Sequence, residues 1–361
     1  MIPGPTPLRD EVRAALAEPV RSHTSVENAA TVRRVQRGIR ECIGSAAARV
    51  HVFAGSGTLA MEVALVNHAA PGQRIVVVSH GYFGDRFIEI GRALGMQVDV
   101  VAAPWGEHID PAELRRVIFE GDAPAVVTLT HVDTSTGVLA DVAALAAPAR
   151  AAGAIVVVDG VCATGGVEER FDEWGIDVLL TGAQKALGVP PGLAIVAVGE
   201  RATARRTELG RIAAYYADLR RWDPVVDDPT KYFSTHATSL LRALEVSLDA
   251  IEAEGLPQCF ARHATNADAL REGMSELGFR PLTAPAVLAP TLSVLGLPDG
   301  VDDAALRSAV AAEGVIVAGC LGPFAGRGIR VAHMGAVGQP EVLRTLDAVR
   351  SALTRASHIS A

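Results

Sequence analysis

Six short β-branched runs alternate with helix-length segments through the middle of the chain, and this alternation restricts the fold more than any other feature. Residues 74–79, 97–101, 125–130, 154–159, 177–180 and 193–198 read as buried strands. Residues 82–94, 111–119 and 141–152 read as helices between them. Strands that are apolar on both faces and separated by helices predict a mostly parallel sheet covered on both sides. This α/β block runs over roughly residues 15 to 250 and ends in a long helix over 236–254. The remainder, past Gly255-Leu-Pro257, reads as helices near 259–277, 302–313 and 339–353 with strands near 291–294 and 328–332. The expected organisation is a large domain over 1–255 and a smaller α+β domain over 256–361.

Composition narrows the class of partner. A net charge of −8 disfavours nucleic acid and anionic membranes, both of which attract basic faces. No apolar run approaches the roughly 20 residues needed to span a bilayer. The opening Met-Ile-Pro-Gly-Pro-Thr-Pro lacks the basic and apolar regions of a signal peptide. Cys42, Cys162, Cys259 and Cys320 are widely spaced, so they read as free thiols of a cytoplasmic protein and not as a disulfide or zinc framework.

Lysine usage singles out one residue. Of 33 basic side chains only Lys185 and Lys231 are lysines. An amine can lose its proton in a dry pocket and attack a carbonyl, which a guanidinium cannot. Lys185 follows the apolar run 177–180 in the nearly uncharged segment Thr181-Gly-Ala-Gln-Lys-Ala-Leu-Gly-Val-Pro-Pro-Gly192, whereas Lys231 lies in polar sequence that suits a solvated amine.

The other chemistry-bearing residues fall at strand ends, where a parallel sheet gathers its functional groups. Ala54-Gly-Ser-Gly-Thr58 opens a helix with small residues, which suits either an anion such as phosphate or a plain helix start. Asp159 ends the most apolar strand and needs a partner; a helix N-terminus, a metal or a protonated pyridine nitrogen would serve. No His, Asp or Glu cluster near it completes a metal site. Phe83, flanked by glycines in Gly81-Tyr-Phe-Gly-Asp-Arg86, could stack on a planar ring or pack in the core. Thr134 offers a hydroxyl or belongs to a polar turn, and Arg330, in a strand, calls for a carboxylate or phosphate from protein or ligand. A buried amine, a carboxylate for a pyridinium, a phosphate cradle, a stacking ring and a carboxylate-binding arginine together describe a pyridoxal 5′-phosphate site.

These motifs, with Pro3-Gly-Pro5, Thr130-His-Val-Asp-Thr-Ser-Thr-Gly137, Val158-Asp-Gly-Val-Cys162 and Gly322-Pro-Phe-Ala-Gly-Arg-Gly-Ile-Arg330, resemble the class V, fold-type-I aminotransferases over essentially the whole chain. Within that class they are similar to the alanine–glyoxylate and serine–pyruvate group. The resemblance implies that Lys185 forms the Schiff base and Asp159 pairs with the pyridinium. It implies that Val161 and Phe83 enclose the ring, Ser56, Gly57, Thr58 and Gln184 hold the phosphate, and Thr134 bonds the ring hydroxyl. Arg330 would bind the substrate carboxylate, with Pro3, Gly4 and His23 on the substrate side beneath an N-terminal arm over residues 1–20. Tyr232 and Thr235 match a Tyr-x-x-Thr motif that reaches the phosphate of a neighbouring subunit, which implies a homodimer with shared sites. Two departures stand out: Phe83 replaces the tryptophan of many relatives, and Thr24 stands where they often carry arginine. The expected reaction is amino transfer from alanine or serine to glyoxylate or pyruvate. The nearest alternatives are 2-aminoethylphosphonate–pyruvate or ureidoglycine–glyoxylate transfer. A lyase of the cysteine-desulfurase or kynureninase type is the alternative of another class, with Cys320 the only cysteine near a candidate site segment.

Overall fold

A computed structural model describes residues 1–359, with side chains described as far as residue 355. Two helices open the chain, α1 (Asp10–Leu16) and α2 (Val26–Ile43). The large sheet and its helices follow: β1 (Arg49–Gly55), α3 (Gly57–Val66), β2 (Arg74–Ser79), α4 (Tyr82–Ala93), β3 (Gln97–Ala102), α5 (Pro111–Phe119), β4 (Val126–Thr130), α6 (Val142–Ala151), β5 (Ile155–Asp159), β6 (Val178–Gly182) and β7 (Gly192–Val198). Three helices, α7 (Glu200–Glu208), α8 (Leu219–Asp227) and α9 (Thr238–Glu254), lead to the last part. That part comprises α10 (Leu256–Glu276), β8 (Arg280–Pro281), β9 (Leu292–Gly296), α11 (Asp303–Ala312), β10 (Ala318–Gly319), β11 (Gly328–Ala332) and α12 (Gln339–Ile359).

The seven-stranded sheet has the order β1-β7-β6-β5-β4-β2-β3. Strands β2 to β6 run parallel, and β7 is antiparallel to both β6 and β1. Every residue of β4, β5 and β6 is buried, as strands covered on both faces require. From β2 the chain steps outward to β3 and then returns past β2 to β4. The carboxyl ends of β2 and β4 therefore flank a topological switch point, where α/β sheets place their ligand crevice. The second sheet, β10-β11-β9-β8, is antiparallel throughout and packs its apolar side on α10, α11 and α12 through Leu270, Leu306, Ile329 and Val349.

The structure adds elements that local pattern did not indicate. β1 carries Arg49 and His51, and both are bonded from α8: His51 Nε2 lies 3.0 Å from Asp223 Oδ1, and Arg49 pairs with the same carboxylate. Helix α8 contains Pro224 and so reads as a turn when taken alone. Gly255, at φ 84°, ends α9 and starts α10 with Pro257 in the first turn, so α10 begins at Leu256 and not at 259. Among the described residues, no helix is long and apolar enough to cross a membrane.

Candidate active site

A cavity of about 280 Å³ opens at the carboxyl ends of the parallel strands. One end is formed by Ser56, Gly57 and Thr58 at the start of α3. Ser56 is the N-cap of that helix, yet its side chain makes no capping bond, which leaves the hydroxyl free to face a ligand. A Cβ on Gly57 would stand 3.0 Å from Val161 Cγ2, so the bare backbone lets the loop approach the floor of the cavity. Gln184 borders the same space, and its buried Oε1 has no hydrogen-bond partner.

Phe83 lies in the first turn of α4 and faces the cavity. The turn after β4 holds this helix end in place: Phe83 N donates to Asp133 Oδ2 at 2.9 Å, and Tyr82 N donates to Ser135 Oγ at 2.9 Å. The same turn presents Thr134 to the cavity. The polar turn thus also positions the aromatic ring beside the cavity.

Asp159 is the last residue of β5, and its Oδ1 accepts the Val161 N–H at 2.8 Å. Burial drives its carboxyl up to about 7, partly opposed by that backbone bond and by the charges of Lys185 and Arg86. It is neither a helix cap nor part of a metal cluster; among the described residues no group of three His, Cys, Asp or Glu side chains is placed to hold a metal. Across the cavity, Lys185 is buried, and that burial lowers its pKa below the usual lysine value. Its Nζ donates to the Pro3 carbonyl. A Cβ on Gly4, whose φ is +90°, would fall 2.6 Å from Lys185 Cδ, so only glycine lets the N-terminal arm lie this close. Thr6 ties the arm down, its Oγ1 donating to the Lys185 carbonyl at 2.8 Å.

Arg330, in the middle of β11, pairs with no carboxylate among the described residues. Its Nε donates to the Gly319 carbonyl at 2.9 Å and its Nη1 to the Thr134 carbonyl at 3.2 Å. Burial lowers its pKa. His23, Tyr232 and Thr235 are not brought to this cavity. The rings of His23 and Tyr232 lie 5.2 Å apart, Tyr232 is 64% exposed, and Thr235 is exposed. Thr235 does not cap α9 either, because the N-cap is Ala237 and no side chain bonds there.

Residue type and spacing did not mark Met61, Arg86, Val132 or Cys162 as lining residues, and all four border the cavity. For Arg86 a signal existed: it sits three residues after Phe83 on α4 and so shares its face. Cys320 stays outside, packed with Phe324 and Met334, and burial pushes its thiol up to about 12. A larger cavity of about 630 Å³ lies at the opposite ends of the strands, bordered by Arg74, Ala125, Ile155 and Arg201, and contains none of the candidate residues.

The family model described as aminotransferase class-V matches residues 8–339. The chain belongs to the class-V aminotransferases. Its fold is fold type I, and as a member of this family it is a pyridoxal 5′-phosphate-dependent aminotransferase. It is similar to alanine–glyoxylate aminotransferase 1 of Saccharomyces cerevisiae, with 34% identity over 98% of this chain and 97% of the relative. A protein named soluble hydrogenase, small subunit, from Synechococcus is 33% identical over 98% of this chain and 92% of its own length. The solved structure of ureidoglycine–glyoxylate aminotransferase from Bacillus subtilis superposes with a TM-score of 0.95 at 28% identity, covering 98% and 92% of the two chains. The class-V cofactor fits the residues present. The buried amine of Lys185, the carboxyl of Asp159 waiting for a cation, the free Ser56 hydroxyl and the orphaned Gln184 Oε1 all border one cavity of suitable size.

Proposed function

We propose that this aminotransferase moves the amino group of a small amino acid, of the alanine or serine type, onto glyoxylate or pyruvate. The convergence of the Lys185 amine and the Asp159 carboxyl on one cavity, with the Arg330 guanidinium bonded to its Thr134 wall, carries the reading. Relatives named for alanine, serine and aspartate transfer to glyoxylate support the acceptor.

When bound, pyridoxal phosphate supplies a ring that accepts the electrons left at the substrate Cα. Asp159 keeps the ring nitrogen protonated, and that cation in turn stabilises the buried carboxylate. Lys185 Nζ, its pKa lowered by burial, is the amine that releases substrate and carries the proton between Cα and C4′. Ser56, Gly57, Thr58 and Gln184 hold the phosphate. Phe83 and Val161 would enclose the ring, and Thr134 would bond its hydroxyl. Arg330 grips the α-carboxylate, while Pro3, Gly4 and His23 bound the substrate side. Residues 1–255 act as the cofactor domain and 256–361 as the smaller one, in a cytoplasmic enzyme. The four buried free cysteines are in keeping with a reducing compartment.

A panel of amino donors against glyoxylate and pyruvate, read as keto-acid product, tests the assignment. Turnover with alanine or serine supports it. Turnover confined to 2-aminoethylphosphonate or ureidoglycine, or sulfide release from cysteine without an acceptor, overturns it. Arg330→Lys is expected to weaken carboxylate substrates by roughly 10–100-fold, because a point charge cannot reproduce the fork of a charge-assisted pair. Amines without a carboxylate should be unaffected; equal loss for both kinds would make Arg330 structural.

The exposure of Tyr232 and Thr235, outside their own chain's cavity, supports a homodimer in which each chain completes the other's site. Mixing a Lys185→Ala chain with a Tyr232→Phe/Thr235→Ala chain should then restore activity in the heterodimer. No restoration in demonstrated heterodimers would confine these residues to their own subunit.

A further inference from the structure

We propose that Arg86 is a phosphate-recognition residue of this site, supplying the positive charge that the loop Ser56–Thr58 lacks; this rests on the cofactor placement given above. Arg86 projects from α4 over the aromatic faces at its N-terminus, 4.9 Å from the Phe83 ring centroid and 5.2 Å from that of Tyr82. Its Nη1 donates to Thr58 Oγ1 at 2.9 Å, and it borders the cavity at the end formed by Ser56, Gly57 and Thr58.

Charge makes this placement informative. Many arginines of this chain find carboxylates: Arg34 meets Asp249 and Glu252, Arg206 meets Asp223, and Arg262 meets Glu254. Arg86 forms no ion pair among the described residues, and its one hydrogen bond there, to Thr58, engages a neutral hydroxyl. The neighbouring carboxylate, Asp85, is turned away and accepts from Ser79 Oγ at 2.7 Å. Most of the five guanidinium donors therefore remain for a ligand. A phosphate at this end carries up to two negative charges in a partly dry cavity. Backbone N–H groups and neutral side chains offset only part of that charge. Among the described residues Lys185 is the only other cation bordering the space, and its amine is committed to the reacting carbon. A guanidinium already held against aromatic rings loses little freedom on meeting a phosphate, which favours arginine over lysine here.

Titrations of the full-length protein, freed of cofactor, with pyridoxal 5′-phosphate and with pyridoxal separate this role from a structural one. The Arg86→Gln variant is expected to bind the phosphorylated cofactor roughly 10–100-fold more weakly, the range of a charge-assisted bond. Its affinity for pyridoxal should stay within about twofold of wild type, and Arg86→Lys should recover part of the loss. If both ligands weaken equally, Arg86 acts by propping the Phe83 ring and the proposal fails. It also fails if neither ligand weakens. Thermal melting in the absence of cofactor identifies a variant that has lost its fold, and Arg86→Lys then carries the test. Should the wild-type protein bind neither ligand, the cofactor placement itself is wrong, which is a separate outcome.

Discussion

Lys185→Ala is expected to fold, to retain cofactor by its phosphate, and to lose on the order of 10⁴-fold in turnover. General acid–base transfer alone is worth about 10² to 10⁴, and this amine also makes the covalent link. Folding should survive because the neighbours of the side chain are held independently: Thr6 bonds the Lys185 carbonyl, not the amine, and Gly188 N bonds the same carbonyl. Removal of the side chain leaves the Pro3 carbonyl without its donor, a loss at the end of the arm and not in the sheet. Two measurements check this. Borohydride treatment of the wild type should fix the cofactor mass on the peptide containing Lys185, and a small exogenous amine should restore part of the activity of the variant. Cofactor mass on Lys231 would refute the assignment, as would near-normal turnover without the lysine.

Asp159→Ala is expected to reduce turnover by about 10² to 10³, the scale of losing one preorganised electrostatic partner. The loops that hold the phosphate do not depend on it, so much of the cofactor affinity should remain. Activity within a few-fold of wild type would rule out pairing with the ring nitrogen. The same carboxyl gives a pH signature in the cofactor-free protein. Its folded pKa of about 7 lies above its ordinary 3.8, so the folded state holds the proton more tightly. The contribution of Asp159 to stability is then fully present below pH 3.8 and declines as pH rises towards about 7. Asp159→Asn lacks this titration and should gain stability relative to wild type across that range. Cofactor binding should remove the difference by providing the positive charge. A melting difference that is flat with pH would mean that the carboxyl is not raised by burial.

Residues whose role depends on their own strand end were legible before the fold. Asp159 terminates an apolar run, and Lys185 follows another in a chain that has almost no lysine; each is marked by local context and by a chemistry few residue types can perform. Phe83 was marked by its flanking glycines, but whether its ring faced a ligand or the core was not. The structure places the ring at the cavity wall, where Asp133 and Ser135 hold the start of α4 from a turn fifty residues away. Arg86 went unassigned for a related reason. Arginine is the ordinary basic residue of this chain, so nothing in its type distinguishes one without a carboxylate from the many that have one.

The sequence by itself determined the alternation of parallel strands and helices, because β-branched runs and 3.6-residue periodicity are local and each strand end follows from its own run. It also singled out Lys185 and Asp159 as the candidate amine and acid. Only the tertiary structure decided that β1, with Arg49 and His51, belongs in the sheet. Those side chains are tolerated there because Asp223, over 170 residues later, bonds His51 Nε2 and the Arg49 guanidinium. It likewise decided that Arg330, from the second sheet, bonds to the turn that carries Thr134, and that Pro3 and Gly4 close over Lys185. These are contacts between segments remote in sequence, and burial and hydrogen-bond satisfaction select them only when the whole chain is packed.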